Sequence, residues 1–326
     1  MRIRAARTAT ILSSALALTA LSIAVLLGAT PATAAINPGW GLFGINSLLT
    51  TAQTVSIDPS NATTTSVGAP LGGLVNSRIY DAASNPIDGT SFAVLDQNNV
   101  RQLLSVDVTT GALSIVGQFE LTAAPGTFPE IRTIAFAPDG TLYGVDATTG
   151  LGYVVDPVTA GLTAVGTFGT FRSFAIDPTT GDLWGIDQNG QLLRADAATP
   201  TVFAPYSSLD FSAHGPTSTY GLQIDEDGLF WLSTYDSFNG KLRTFTPTVA
   251  PIVPTLVGVF SPPHYSVLAI LIVDLTPPGP PVTPAGPQLA NGGADFTVAS
   301  VVAISAGILT LLGVTLVVAR RRDVAR

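Results

Sequence analysis

Through the middle of the chain, apolar residues fall in short continuous runs separated by polar turns, not at the three-to-four spacing of a helix face. Residues 171–196, FRSFAIDPTTGDLWGIDQNGQLLRAD, show the unit most clearly. An apolar run meets a Pro-Thr-Thr-Gly turn, then Leu-Trp-Gly-Ile-Asp, then a Gln-Asn-Gly turn and a third run. This predicts three short strands joined by two hairpin turns. Runs apolar nearly throughout fit a sheet packed on both faces.

The unit recurs. Aligned on its second aspartate, it gives Asp58, Asp107, Asp156 and Asp196, with Thr246 at a degenerate fifth position; the spacings are 49, 49, 40 and 50. A Val-Gly pair closes most copies, at Val67-Gly68, Val116-Gly117, Val165-Gly166 and Val257-Gly258. The second strand returns as 42–46 (LFGIN), 142–146 (LYGVD) and 183–187 (LWGID), and more loosely at 92–96 and 230–233. Repeats of this length with four short β-runs read as propeller blades. The glycine after each aromatic (Gly44, Gly144, Gly185) is expected to admit the backbone of the next blade. The first copy starts at Trp40 without an inner strand, and residues 266–273 (SVLAILIV) form a lone apolar run after the last copy. The expectation is an all-β, five-bladed propeller over residues 35–275, with 266–273 exchanged into blade one to close the ring. A parallel β-solenoid is the runner-up. The pattern resembles the broad YVTN and quinoprotein-like group of bacterial propeller repeats, over the whole of this region. The resemblance implies the fold and no particular activity, since that group includes enzymes, scaffolds and surface binders. No cofactor motif of the quinoprotein enzymes is present, so no cofactor is expected.

The two ends differ from the middle. Residues 1–34 have the pattern of a signal peptide: Arg2, Arg4 and Arg7, an uncharged run, then Ala32-Thr33-Ala34, so that cleavage is expected between Ala34 and Ala35. After a Pro-rich linker at 276–288, residues 296–319 form an uncharged run long enough to cross a bilayer as a helix, followed by Arg320, Arg321 and Arg322. The arginines place that end in the cytoplasm and the repeat region outside. Leu289-Ala290-Asn291-Gly292-Gly293, ahead of this span and tail, resembles the sorting signal of Gram-positive surface proteins that sortase joins to the cell wall. Leu289, Ala290 and Gly293 match its Leu-Ala-x-Thr-Gly variant, and Gly292 replaces the threonine after which the family is cut. Wall attachment and membrane retention both remain open. Either places the protein on the cell surface.

Charge narrows the partners. Between residues 35 and 288 there are seven basic and twenty acidic residues, a balance that repels phosphate backbones and argues against nucleic acid. The chain has no cysteine, hence no thiolate metal site or thiol nucleophile. Three of the seven basic residues, Arg78, Arg132 and Arg172, fall where inner strands begin, and Tyr220 and Tyr265 stand near that position in blades five and one. An arginine ring at the channel mouth would clamp a carboxylate or sulfate. Alternatively each arginine pairs with a neighbouring blade's Asp96, Asp146 or Asp187. Only Glu120, Glu130 and Glu226 join the aspartates, most of which sit at turn positions, so a glycan-cleaving carboxylate pair is the lesser reading. Residues 225–228 (DEDG) read as a hairpin turn rather than a calcium loop. His214 and His264 lie in inter-blade connections and are not expected to bind metal. The expected function is a non-enzymatic surface propeller presenting a binding face to an extracellular ligand, protein or wall polymer. The alternative is a glycan-active hydrolase or lyase on the same scaffold.

Overall fold

The computed structural model describes residues 39–275, apart from residues 49, 212–217, 237, 238, 249, 250, 263 and 265. The signal-peptide, linker, sorting-motif and membrane-span expectations fall outside the described residues, as do His214 and Tyr265. Among the described residues no helix is long and apolar enough to cross a membrane.

Five antiparallel sheets follow one another along the chain. Blade two contains β4 (Ser77–Ser84), β5 (Ser91–Gln97), β6 (Val100–Val106) and β7 (Leu113–Gln118), in that order from the axis outward. Blade three contains β9 (Ile131–Phe136), β10 (Leu142–Asp146), β11 (Leu151–Val155) and β12 (Gly161–Thr167), and β8 (Glu120–Leu121) adds a short parallel outer edge. Blade four has β13 (Ser173–Ile176), β14 (Leu183–Ile186), β15 (Gln191–Ala195) and β16 (Ala204–Ser208); blade five has β17 (Ser218–Ile224), β18 (Phe230–Tyr235), β19 (Gly240–Phe245) and β20 (Thr255–Val259). Blade one is composite. Its β1 (Trp40–Leu48), β2 (Thr51–Ile57) and β3 (Thr64–Ser66) come from the start of the repeat region, and its inner strand is β21 (Val267–Asp274). β21 runs antiparallel to β1, with Trp40 opposite Asp274, Phe43 opposite Leu271 and Ile45 opposite Ala269. The lone apolar run therefore completes blade one, and five blades form a closed ring.

Five apolar cores, one per seam, hold the ring. Phe43, Ile45, Ile79 and Leu95 pack between blades one and two. Phe92, Val94, Ile134 and Phe136 fill the next seam. Val145, Phe168 and Phe174 fill the third, and Ile186, Leu222, Phe230 and Leu232 the fourth. Leu42, Val55, Trp231, Leu242 and Ile270 fill the seam that closes the ring. Burial explains the hydropathy pattern. Residues 267–273 of β21 are all buried, whereas most residues of the outer strands β7, β12 and β20 are exposed or half-buried.

The glycines work differently from expectation. A Cβ on Gly44 would strike the Val267 side chain at 2.5 Å, and one on Gly185 the Phe171 ring at 2.5 Å, so these positions receive side chains of their own blade. The close backbone approach occurs instead at the closing Val-Gly pairs. A Cβ on Gly68 would lie 2.1 Å from the Thr110 carbonyl oxygen, on Gly117 3.0 Å from that of Thr159, and on Gly258 2.1 Å from that of Asn61. In each case the partner is the turn between strands three and four of the following blade, and Gly258 performs this docking across the closing seam.

Candidate functional site: the arginine mouth of the ring

The inner strands all begin at one end of the channel. The same end carries the turns between strands two and three and the connections from blade to blade. Arg78 is the second residue of β4, Arg132 the second residue of β9, and Arg172 immediately precedes β13. The structure thus brings all three predicted arginines to one mouth. A local irregularity sets the position of one of them. Arg132 occupies a register shift between Ile131 and Thr133, and a similar shift in β4 between Ile79 and Ala82 holds Tyr80 and Asp81.

Tyr80 is the hub. The guanidinium carbons of Arg101, Arg132 and Arg78 lie 5.0, 5.3 and 5.7 Å from its ring centroid. The quadrupole of an aromatic ring attracts cations at this range. Arg101, buried on β6, is ion-paired to Asp96 at 2.5 Å and to Glu130 of the next blade at 3.2 Å. Glu130 also takes Arg132 at 3.3 Å. The anticipated arginine–aspartate pairing is therefore realised in a different form. The residue that joins two blades is Arg101, and its inter-blade partner is a glutamate. Asp146 is occupied by turn capping, accepting from the backbone N–H groups of Thr148 and Thr149 and from that of Glu130. Asp187 similarly accepts from Asn189 and Gln191. Arg78 and Arg172 have no carboxylate ion-pair partner among the described residues; the Arg172 guanidinium lies 3.5 Å from the Ser218 hydroxyl.

Arg101 escaped sequence reading, although a signal was present. Asn98 and Asn99 both have positive φ, 54° and 64°, in a two-residue hairpin, and that turn sets Asp96 opposite Arg101. Tyr220 lies in β17, in a register shift like that of Tyr80.

Acidic residues are more numerous at the other end. Twelve of the twenty acidic residues of the described region lie in or beside the turns joining strands one to two and three to four, accompanied by a single arginine, Arg194, which pairs with Asp182. Several act as turn caps. Asp107 accepts from Thr109 N–H, Thr110 N–H and the Thr110 hydroxyl, and these bonds hold its carboxyl below the usual range. Asp58 and Asp156 repeat the arrangement. Asp225 accepts from Asp227 N–H, Leu229 N–H and Trp231 Nε1–H, as the hairpin reading of 225–228 requires.

One carboxyl lies within the ring. Asp81 is fully buried and accepts from the N–H groups of Ala82 and, in the next blade's inner strand, Ile134, at 2.9 and 3.2 Å. Burial pushes its pKa well up. Close by, Gln223 of β17 donates to the Ala82 carbonyl, tying blade five to blade two across the channel. His264 is buried and lies within hydrogen-bonding distance of the Thr64 and Ser66 hydroxyls, which fastens the last connection to the outer strand of blade one.

No family model and no curated protein matches the chain. Among solved structures, the chain is similar to one in a crystal structure of a nidogen/laminin complex, with TM-score 0.47 and 11% identity over 73% of this chain and 99% of that one. It is also similar to a protein of unknown function from Bacteroides caccae, with TM-score 0.41 and 12% identity over 73% of this chain and 88% of the other.

Proposed function

We propose that this is a non-enzymatic, exported propeller, held at the cell surface by its C-terminal segment, that uses the arginine mouth to bind an extracellular ligand, protein or wall polymer. The carrying observation is the separation of roles between the two ends of the ring. Among the described residues Arg78 and Arg172 reach the mouth without ion-pair partners, whereas acidic residues at the far end are bonded into turns. β21 also ends at Asp274, at the far end, so the chain leaves the ring opposite the mouth. The signal-peptide pattern, the apolar run at 296–319 and its arginine tail support export and anchoring.

The test is fractionation of cells expressing the full chain, with mass spectrometry of its C-terminal peptide. A chain ending at Gly292 and joined to wall peptide, or an intact tail in the membrane fraction, upholds surface anchoring; the first also assigns sortase as a partner. Recovery of the chain from the cytoplasm overturns the proposal.

A further inference from the structure

The bulge in β4 joins the arginine mouth to the carboxyl buried inside the ring. Tyr80 and Asp81 together stand opposite Val94 of β5, one residue more than the pairing needs. The two side chains lead to different places. The Tyr80 ring lies among the guanidinium groups of Arg78, Arg101 and Arg132, and its hydroxyl donates to the Asp96 carboxylate at 3.5 Å. The Asp81 carboxyl is fully buried. One oxygen accepts from Ala82 N–H within the bulge, and the other accepts from Ile134 N–H on the inner strand of blade three. The Ala82 carbonyl in turn accepts from Gln223 of blade five.

No cation is placed to neutralise an Asp81 charge. β4 packs against β1, β5, β9, β17 and β21. The titratable groups on these strands are Asp96 on β5, Arg132 on β9, Tyr220 on β17 and Asp274 on β21, with Arg78 and Tyr80 on β4 itself. Among the described residues none of them forms an ion pair or hydrogen bond with Asp81. An isolated buried charge is strongly unfavourable, so the closed bulge requires the neutral acid, and burial raises its pKa accordingly. Once ionised, the carboxylate is stable only in water, and to reach water it must leave Ile134.

We infer that the Tyr80–Asp81 bulge is a proton-operated latch on the arginine mouth: the neutral acid holds it shut, and loss of the proton swings Asp81 out, frees the Ile134 N–H and loosens Tyr80 from its arginines. The latch regulates the face read above as the binding face, and its role rests on that reading. Each pH unit above the ordinary aspartate value favours the open, ionised form about tenfold further. Asp81 bonds only within blades two and three, so opening is confined to them.

The test is hydrogen exchange of the full-length chain in detergent, read by mass spectrometry from about pH 4 to about pH 9, the range in which buried carboxyls titrate. Asp81→Asn keeps the shape and the acceptor but cannot ionise, so it corrects at each pH for the intrinsic rise in exchange. Peptides covering residues 77–84 and 131–136 should exchange alike in the two proteins at the acid end and then diverge by about tenfold per pH unit, while 173–176 in blade four and 240–245 in blade five stay alike. A fluorophore on Arg78→Cys, in a chain with no other cysteine, should lose anisotropy along the same curve, and one on Arg172→Cys should not. Equal exchange of the parent and Asp81→Asn at every pH overturns the inference. Acceleration of all blades together also overturns it, because the proton would then hold the whole ring. So does a steady Arg78→Cys label while the two peptides open. If Asp81→Asn fails to fold, the blade-four and blade-five peptides of the parent serve as the reference and the same outcomes decide. A failed latch appears in exchange and a failed surface reading in fractionation, so the two are told apart.

Discussion

Replacing Gly258 by alanine offers a sharp test of how the ring closes. Gly258 lies in the outer strand of blade five, and an added Cβ would sit 2.1 Å from the carbonyl oxygen of Asn61, 2.7 Å from its carbonyl carbon and 3.0 Å from the Cβ of Ala62. A carbon and a carbonyl oxygen ordinarily approach no closer than about 3.3 Å, so the strand and the turn must separate by roughly an ångström. Neither yields easily. The Asp58 carboxylate fixes the turn by accepting from Ser60 N–H and the Asn61 side chain, and Asp58 O accepts from Ala62 N–H at 2.8 Å. Ala62 itself is fully buried at φ 61°, a left-handed conformation tolerated only because the surrounding structure imposes it. Overpacking of this kind costs about 1–3 kcal/mol, and displacement of a locked turn places the expected loss near the upper end. For a ring of this size that lowers the melting temperature by about 4–10 °C. Gly72→Ala is the control, because nothing lies within 4 Å of its added Cβ. Thermal unfolding followed by circular dichroism should show Gly258→Ala melting well below the parent and Gly72→Ala melting with it. Equal melting of Gly258→Ala and the parent would falsify the seam geometry.

Other consequences follow from the same packing. Ile270→Ala, in the fully buried centre of β21, should cost about 2–5 kcal/mol in urea unfolding, whereas Val253→Ala, 59% exposed, should stay within about 0.5 kcal/mol. Asp81 gives stability a pH dependence of definite sign. Its folded pKa is raised, so above the ordinary aspartate range the folded ring keeps a proton that the unfolded chain releases. The stability that Asp81 contributes is greatest in acid and falls, by at most about 1.4 kcal/mol per pH unit, until the raised pKa is passed. Urea titrations across this window should show that slope in the parent and lose it in Asp81→Asn. His264 acts at the opposite end. Burial lowers its pKa, so the stability it supports is present above the ordinary histidine value and lost as pH falls through the lowered one. His264→Gln should remove that acid-side loss.

Much of the fold can be read from the chain because the determinants are local. The Leu-aromatic-Gly-Ile-Asp strand and the Asp-capped turns mark each blade, and the missing inner strand at Trp40 matches the surplus strand at 267–273. What escapes sequence reading depends on contacts across strands. Register shifts in β4 and β9 decide where Tyr80 and Arg132 point, and a shift of one residue leaves no periodic trace. The role of Arg101 depends on a partner, Glu130, in another blade. Asp81 is an ordinary strand residue until the ring brings Ile134 of the next blade against it. The docking glycines were visible as a repeated Val-Gly, but their partner turns belong to the next blade.

Every assignment to the mouth depends on β21 pairing with β1 in the observed register. The chain has no cysteine, so a pair introduced as Trp40→Cys and Asp274→Cys reports on that register without competition. Mild oxidation should give one intramolecular disulfide and raise the melting temperature, while Trp40→Cys with Leu271→Cys, out of register, should stay reduced. If the first pair remains reduced, or bridges only between molecules, the ring is not closed by its C-terminal strand.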